Sequence, residues 1–557
     1  MITFDLGAHK RPVSTRSPEA QHWFDQGLNW CYGFNHEEGV ACFQKALDHD
    51  PTCMMAHWGI AYGTGPFYNN VWRQFSPAEA EAAARLCHAH VQAAQALSGT
   101  AVERALVAAL AQRFQQPHGV SQETFDRWDD DYAAAMRAVY AAHSDDDDVA
   151  ALTAEALMTR TAWKLWDVRT GAPAPGSDVL EVLEIIEGSI ARNDARGTPQ
   201  HPAILHLHIH ATEMSAAPEQ AMRSADLLGD MCPDAGHMNH MPGHTYVLCG
   251  EYEKAKHASD KAIRADDLYV EHAGAFNFYT TARCHDLHLM MYACMFLGQL
   301  QPALAAANKM CATLSKEVLS VKDRPQMAIT MEGYYAMRMH VLVRFGLWQD
   351  IVDAAMPDDP VLYCVSTAMH HYAKGVAQAA LGGAKAAEEE RVKFHAALAR
   401  VPENRRFFNN AAKSILAVGE MMLEGEVAYH AGDYAKAFDH LREAVHRSDT
   451  LEYTEPWAWM HPPRHALAAL LAEQGHYAEA EDIYRSDLGL NDKLHRCAQH
   501  HDNVWALHGL VECLRLRKET VELPGLEEKL ALALAKADVP ITSSCLCRAA
   551  AQACCAP

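Results

Sequence analysis

The chain has 557 residues, a formal net charge of −23 and a hydrophobic content of 49%. One compact core rarely extends over such a length, so we expect several domains or an array of repeated units. The acidic balance argues against nucleic acid or an anionic membrane as the main partner, because both attract basic surfaces. No apolar run of about 18 residues or secretory signal is evident, so we expect a cytoplasmic protein without a membrane span.

After an N-terminal arm, residues 1–17, a unit of about 34 residues begins at Ala20. Its first half carries a large, a small and an aromatic residue, and its second half small, aromatic, Ala and Pro positions: Trp23, Gly27 and Trp30, then Gly39, Phe43, Ala46 and Pro51. This is the tetratricopeptide pattern, in which small residues let two antiparallel helices approach closely. The turn into the second helix, with a Gly-x-Tyr-x-x-Ala motif, recurs in GEYEKA ending at Ala255, GDYAKA at Ala437, GHYAEA at Ala480 and, more weakly, GQLQPA at Ala303 and GGAKAA at Ala387.

Strand patterns are nearly absent between these motifs, whereas apolar residues at helical spacing continue throughout. The aspartate runs at 129–131 and 145–148 favour helix N-termini, since carboxylates interact well with the free N–H groups there. Residues 169–178 and the segment GTGPFYNN, residues 63–70, are predicted to be loops or turns. The predicted fold class is therefore all-α, an α-solenoid of helix-turn-helix repeats over residues 18–538 with a concave groove.

Histidines concentrate in residues 202–288, in the segments PAILHLHIHATE, GHMNHMPGHTY and CHDLH. In the repeat frame, units begin at Pro202, Gly236 and Cys284, which places the polar residues on one face of the first helix of three neighbouring units. They are His206, His210, Glu213, His237, His240, His244, His285 and His288. A lone helical histidine is usually structural, but so many polar groups in phase would compete for few partners without a metal. The pattern predicts that all eight are metal ligands.

Imidazole suits copper, iron and zinc, and eight ligands exceed one site, so we expect two or more ions. Copper or iron is favoured and zinc is the alternative, because a two-zinc hydrolase would usually carry more carboxylates. Glu213 is also a candidate catalytic base, and Tyr292, in phase in the third unit, is a candidate catalytic residue for which packing is the simpler role. His340 is in phase on a later helix. Pro242 interrupts the frame, so either the helix kinks there, or it starts near Pro242 and His237 and His240 lie on the loop before it.

The final segment, residues 539–557, leaves the helical pattern and is predicted to be a flexible, Cys-rich tail. Its cysteines, Cys545, Cys547, Cys554 and Cys555, could bind a soft ion such as Cu(I), since thiolates prefer soft metals, or could be unpaired thiols. The sequence leaves both interpretations open. The other cysteines are scattered through helical segments, which is typical of reduced core residues.

The segments LHLHIHATEMS, GHMNHMPGHTYVLCGEYEKA, CHDLHLM and PWAWMHPPRHALAALLAEQGHYAEAEDIYRSDL resemble a histidine-rich, mostly bacterial group of tetratricopeptide repeat proteins without assigned activity. The resemblance covers nearly the whole chain, and it implies that the eight predicted ligands are the histidine-rich signature of that group. The chain departs from the group at His208, where an aromatic is more usual, and in its Cys-rich tail. Because the group has no settled reaction, the resemblance concerns fold and site and leaves the substrate open.

Three functions agree with these observations. The first is a metalloenzyme with a dinuclear or multinuclear centre in the solenoid groove, which carries out an O₂-dependent oxidation of a small organic molecule. The second is a peptide-binding scaffold without catalysis, in which the histidines give the groove polarity or pH sensitivity. The third is a zinc-dependent hydrolase with a zinc-bound water as nucleophile. A protein partner on the solenoid surface and a homo-oligomer are left open.

Overall fold

The computed structural model describes residues 3–322 and 324–548. Within these ranges the only strands are two short antiparallel pairs, Trp166–Asp167 with Ala172–Pro173 and Arg406–Phe407 with Asn410–Ala411, so the predicted all-α class is confirmed. The chain divides into two compact units, Met1–Thr245 with Arg264–His272, and Tyr246–Ile263 with Ala273–Pro557. No helix in the described ranges is both long and apolar enough to cross a membrane.

The N-terminal half of the chain consists of helices that pack mostly against their neighbours in sequence, as α1 packs on α2 and α6 on α7. Short 3₁₀ turns at Trp72–Gln74 and Pro218–Ala221 supplement them. The helices are α1 (Pro18–Tyr32), α2 (His36–His49), α3 (Met54–Thr64), α4 (Pro77–Gln95), α5 (Ala101–Leu110), α6 (Gln122–Ala142), α7 (Asp147–Arg160), α8 (Val179–Arg196), α9 (Pro202–Thr212), α10 (Met222–Leu228), α11 (Gly236–His240), α12 (Pro242–Leu248) and α13 (Tyr252–Ala273).

The first repeat forms the helix pair that its small residues predict. A Cβ atom built on Gly27 of α1 would lie 2.7 Å from the ring of Phe43 and 2.9 Å from the carbonyl oxygen of Gly39, both on α2. Real Cβ atoms do not approach ring carbons so closely, because the atoms would overlap. Glycine at position 27 therefore sets the distance between the two helices, and Phe43 fills the space and is fully buried.

The C-terminal half continues the same architecture, with α20 packed on α21, α22 on α23 and α24 on α25. A 3₁₀ turn covers Arg496–Ala498. The helices are α14 (Thr280–Leu297), α15 (Leu300–Thr313), α16 (Lys316–Leu319), α17 (Gln326–Tyr335), α18 (Met337–Arg344), α19 (Trp348–Asp353), α20 (Cys364–Ala380), α21 (Ala384–Leu398), α22 (Ala412–His430), α23 (Tyr434–Asp449), α24 (Pro463–Glu473), α25 (Tyr477–Asp487), α26 (Val504–Arg517) and α27 (Leu523–Leu534). Consecutive helix pairs of this kind are an α-solenoid arrangement, as predicted.

Each of the recurring motifs forms the turn into a second helix that its sequence predicts. Their glycines have φ between +72° and +82° at Gly250, Gly298, Gly382 and Gly432, and +84° at Gly475, a left-handed conformation that only glycine adopts without strain. A helix begins two residues later in each case. The alanine that ends each motif is fully buried: Ala255, Ala303, Ala387, Ala437 and Ala480. These alanines lie where the second helix of a pair packs on the first.

Both ends of the described chain are packed. In the N-terminal arm, the guanidinium of Arg11 donates to the carboxylate of Asp148 at 2.9 Å, and the hydroxyl of Tyr32 donates to the same carboxylate at 2.6 Å. In the predicted tail, the carbonyl oxygen of Ser544 accepts a hydrogen bond from Arg344 at 2.6 Å, and Cys547 is buried. The predicted tail thus includes a stretch that packs on the second unit, while Cys554 and Cys555 lie outside the described residues.

Candidate functional site

Helix α9 carries the first histidines, and every one of its residues is buried. His206 and His210 lie one turn apart, and Glu213 follows within the next turn, so all three side chains share a face. His208 points elsewhere, because its Nδ1 lies 2.8 Å from the hydroxyl oxygen of Ser224. The helical phase predicted from the sequence therefore separates His208 from its two neighbouring histidines.

The second histidine segment forms two short helices rather than one. Proline at position 242 has no N–H group and cannot continue the hydrogen-bond ladder, so α11 ends at His240 and α12 begins at Pro242. The N–H of Met241 still donates to the carbonyl oxygen of His237 at 3.0 Å. His237 and His240 thus lie on a helical turn before an interruption, and not on a loop.

Glu213 links the two segments. Its Oε1 lies 2.8 Å from Nδ1 of His210, and its Oε2 lies 2.5 Å from Nδ1 of His244. Burial alone would raise the pKa of Glu213, but the neighbouring His210 and His244 outweigh it and lower that pKa to about 2. An ionised carboxylate only accepts hydrogen bonds, so both imidazoles must carry their proton on Nδ1 when neutral. The Nε2 atom of each ring is then left with its lone pair.

His206, like His210 and His244, carries its proton on Nδ1, but its hydrogen-bond partner is a backbone carbonyl. Its Nδ1 donates to the backbone carbonyl oxygen of Tyr32 at 2.8 Å, and a carbonyl can only accept. Burial first, and then the neighbouring His210 and His244, hold the pKa of His206 well below its ordinary value, which keeps the ring neutral. Its Nε2 therefore carries a lone pair and lies 3.2 Å from Nε2 of His237.

The nitrogen atoms of His206, His210 and His237 lie within 4.8 Å of one another. Two imidazole nitrogens bound to one tetrahedral ion at about 2.05 Å would be about 3.3 Å apart. The distance of 3.2 Å between the Nε2 atoms of His206 and His237 matches that value. Nε2 of His210 has no hydrogen-bond partner among residues 3–322 and 324–548. These three side chains therefore have suitable donor atoms close together, and one pair of them has the spacing of two ligands of one ion.

A second nitrogen pair adjoins this trio. Nε2 of His240 lies 2.7 Å from Nε2 of His244, one turn further along the chain. Because Glu213 fixes the proton of His244 on Nδ1, the Nε2 atom of His244 is the acceptor in this pair. The pair is closer than two ligands of one tetrahedral ion would be, and its distance is that of a hydrogen bond.

Aromatic rings that the sequence did not single out as site residues surround the trio. The ring centroid of Phe34 lies 4.4 Å from His206, 5.7 Å from His210 and 5.2 Å from His237. The rings of Tyr68 and Trp163 lie 4.9 Å and 5.8 Å from His210. Residues 63–70, which contain Tyr68, were predicted only as a loop or turn, and nothing in the sequence around Phe34, which follows α1, indicated a place beside these histidines.

The remaining predicted residues belong to the second unit. The ring of His285 lies 5.2 Å from that of Phe408, and the ring of His288 lies 5.5 Å from that of Phe407. Burial, with a smaller effect of His340, lowers the pKa of His288 to about 3. The role of His285 and His288 as metal ligands stays a prediction.

Tyr292, the candidate catalytic tyrosine, lies in a buried hydrogen-bond network of the second unit that sequence reasoning missed. Its hydroxyl is 3.0 Å from Nε2 of His500, whose Nδ1 lies 2.8 Å from the carboxylate of Asp487. The same carboxylate accepts from His465 at 2.7 Å, and His465 in turn contacts Arg344 at 3.0 Å. His340, which the sequence placed in phase on a later helix, has its Nδ1 3.3 Å from Nδ1 of His461.

No protein-family model matches the chain, and no curated protein matches it. Among solved structures, the chain is similar to one in a structure of Naa15/Naa10 bound to HypK-THB, with 11% identity and a TM-score of 0.22 over 92% of this chain and 70% of that one. It is also similar to a chain of the APC/C hetero-tetramer Cut9-Hcn1, with 13% identity and a TM-score of 0.24 over 94% of this chain and 95% of that one. At this distance neither likeness bears on the site.

Proposed function

We propose that the first unit is a helix-pair scaffold for a transition-metal centre, in which Nε2 atoms of His206, His210 and His237 are the ligands. The observation that carries the proposal is the fixed direction of these rings. Acceptor-only partners hold the Nδ1 protons of His206 and His210, which leaves a lone pair on each Nε2 atom, and these atoms lie within 4.8 Å of a ring nitrogen of His237. Metal-binding histidines generally have their second nitrogen anchored in this way.

The energetics of burial favour the same interpretation. His206 and His210 are fully buried, and Nε2 of His210 lacks a hydrogen-bond partner in the described ranges. An unsatisfied buried acceptor costs about 1–3 kcal/mol, which a bound cation would offset. The carboxylate of Glu213, whose two oxygens each accept from an imidazole, would balance part of the charge of that cation. We therefore assign Glu213 an orienting role, in preference to direct ligation.

Three imidazoles leave one position of a four-coordinate ion open, which is the arrangement of catalytic rather than structural sites. Copper or iron held there would supply O₂-dependent oxidation, the reaction class that we propose. Phe34 and Trp163 keep water away from the trio, and Tyr68, whose pKa burial raises, keeps its phenolic proton for a hydrogen bond to a small substrate. His240 with His244 in the first unit, and separately His285 with His288 in the second, are the proposed ligands of further ions.

Metal analysis of the protein purified without added metal tests the proposal, together with an absorption spectrum. We expect at least one transition-metal ion per chain, and its loss in the double variant His206→Ala/His210→Ala. His208→Ala is the matched control, since His208 lies on the same helix but bonds to Ser224. Equal metal content in all three proteins, or none in the wild type, would refute the proposal. A coloured protein favours oxidation, and a colourless zinc protein favours the hydrolase.

A second candidate function is that of a peptide-binding scaffold without catalysis. The antiparallel helix pairs favour it, because repeats of this kind present extended surfaces to partner chains. In that case the histidine pairs serve as buried hydrogen bonds, such as the contact of 2.7 Å between His240 and His244. This function predicts that a partner peptide binds equally well before and after treatment with a chelator.

A further inference from the structure

A second set of ligand-type side chains meets in the second unit, at α22 and the segment that follows α27. A carboxylate oxygen of Glu426 and the sulfur atoms of Cys545 and Cys547 lie within 4.8 Å of one another. Nε2 of His430 lies 3.8 Å from Oε2 of Glu426. This group of side chains shares no residue with the proposed centre of the first unit.

Glu426 and His430 are spaced one turn apart on α22, so their side chains share a face. Glu426 is only 1% exposed, and its Oε2 accepts no hydrogen bond within residues 3–322 and 324–548. Nε2 of His430 also lacks a hydrogen-bond partner in those ranges. A buried carboxyl oxygen without a donor is costly unless a cation or another proton donor reaches it. The helix therefore presents one oxygen and one nitrogen, 3.8 Å apart, and neither atom has a hydrogen-bond partner in those ranges.

The cysteines reach this face on an anchored segment. Arg344 donates to the carbonyl oxygen of Ser544 at 2.6 Å, and Ser544 is buried, which fixes the backbone beside Cys545. The N–H of Cys547 donates to Sγ of Cys545 at 3.4 Å, so both sulfur atoms lie on one turn. The structure joins them in a disulfide with a Cα–Cα distance of 5.4 Å. His430 also lies beside the backbone of Cys547 in this turn.

We propose that Cys545 and Cys547, once reduced, form with Glu426 and His430 a four-coordinate site for a zinc-type divalent ion. Reduction adds two electrons, supplied by a phosphine reductant, and two protons from water, and the thiols release these protons when they bind the ion. Two thiolates, an imidazole and a carboxylate are ligands that zinc accepts in tetrahedral geometry. The ion would tie the C-terminal segment to α22, because two ligands come from each.

Cobalt(II) titration of the full chain, reduced with phosphine and stripped of metal, tests this site. Thiolate ligands give cobalt(II) a sulfur-to-metal charge-transfer band, which a site made only of imidazoles lacks. The band therefore reports this site without interference from the histidines of the first unit. We expect the band to saturate at one ion per chain, and to disappear in the variant Cys545→Ser/Cys547→Ser.

Two matched variants complete the experiment. Glu426→Gln, which keeps the size of the side chain, should weaken cobalt binding by about tenfold or more, as lost metal contacts do. Cys311→Ser, at a half-buried cysteine of the same unit, should leave the band unchanged. Circular dichroism of each metal-free variant confirms that it folds. Absence of the band from the wild type, its persistence in the double cysteine variant, or its loss on changing only Cys554 and Cys555 to serine would overturn the proposal.

Discussion

Replacing Glu213 by glutamine tests whether that carboxylate fixes the direction of the site histidines. Its two oxygens lie 2.8 Å and 2.5 Å from Nδ1 of His210 and His244, and the side chain is about 1% exposed. An amide of the same size offers one accepting oxygen and one donating nitrogen. One of the two imidazoles must then move its proton to Nε2, and that nitrogen can no longer bind a metal.

The expected effect can be estimated from the lost contacts. Anchoring partners of metal ligands typically contribute about 10–100-fold to metal affinity, so we expect Glu213→Gln to weaken binding within that range. Loss of a hydrogen bond to a charged group should lower the free energy of unfolding of the metal-free protein by about 1.5–3 kcal/mol. Competition with a chromogenic chelator measures the first quantity, and urea unfolding measures the second.

The matched control is Glu187→Gln, at an exposed position of α8, which should change neither quantity. If Glu213→Gln bound metal as tightly as the wild type, the orienting role of Glu213 would be wrong, whatever its effect on stability. If it bound no metal at all while remaining folded, Glu213 would be better described as a ligand. The two outcomes distinguish a Glu213 that orients the histidines from a Glu213 that binds the metal, two roles that the sequence alone could not tell apart.

Two further predictions concern stability. Gly27→Val should lower the free energy of unfolding by about 1–3 kcal/mol, because its Cβ would lie 2.7 Å from the ring of Phe43, and urea unfolding measures this. Acid should also destabilise the metal-free protein: burial lowers the pKa of His36 to about 3 and that of His370 to about 4, from 6.5. Both rings charge first in the unfolded chain, so this stability is complete above about pH 6.5 and falls below it by about 1.4 kcal/mol per group and pH unit. Equal urea midpoints at about pH 7.5 and 5.5 would contradict that reasoning.

The sequence predicted the fold well because its signals are local. Each Gly-x-Tyr-x-x-Ala motif requires a left-handed residue and then a small buried one, and Gly432 and Ala437 meet both requirements within six residues of chain. The close pair Gly27 and Phe43 likewise follows from one repeat. Helix pairs are defined by such short-range requirements, so a reading of composition and spacing is sufficient for them.

The site was predictable only in part. Helical phase placed His206 and His210 on one face and explains why His208 turns away to Ser224. It could not place Phe34, whose contact with these rings depends on how the start of the chain packs against α9. It also could not predict that residues before Arg548 pack firmly on the second unit, because the anchoring contact of Arg344 with Ser544 joins positions 200 residues apart.

Sequence spacing cannot distinguish a residue that binds a metal from one that orients a metal-binding residue, because an imidazole has two nitrogens and each can have a different partner. A list of histidines and a glutamate counts every polar side chain as a ligand, whereas in the structure Nδ1 of His206, His210 and His244 each lies against an oxygen acceptor. Both carboxylate oxygens of Glu213 accept hydrogen bonds, from Nδ1 of His210 and of His244, and the backbone carbonyl oxygen of Tyr32 accepts one from Nδ1 of His206. A pattern of side chains cannot reveal a backbone carbonyl that anchors a ring. A glutamate also has the same place in the sequence whether it orients a histidine or binds the metal. Ligand sets predicted from spacing alone are therefore expected to include orienting residues and to omit the backbone groups that perform the same task.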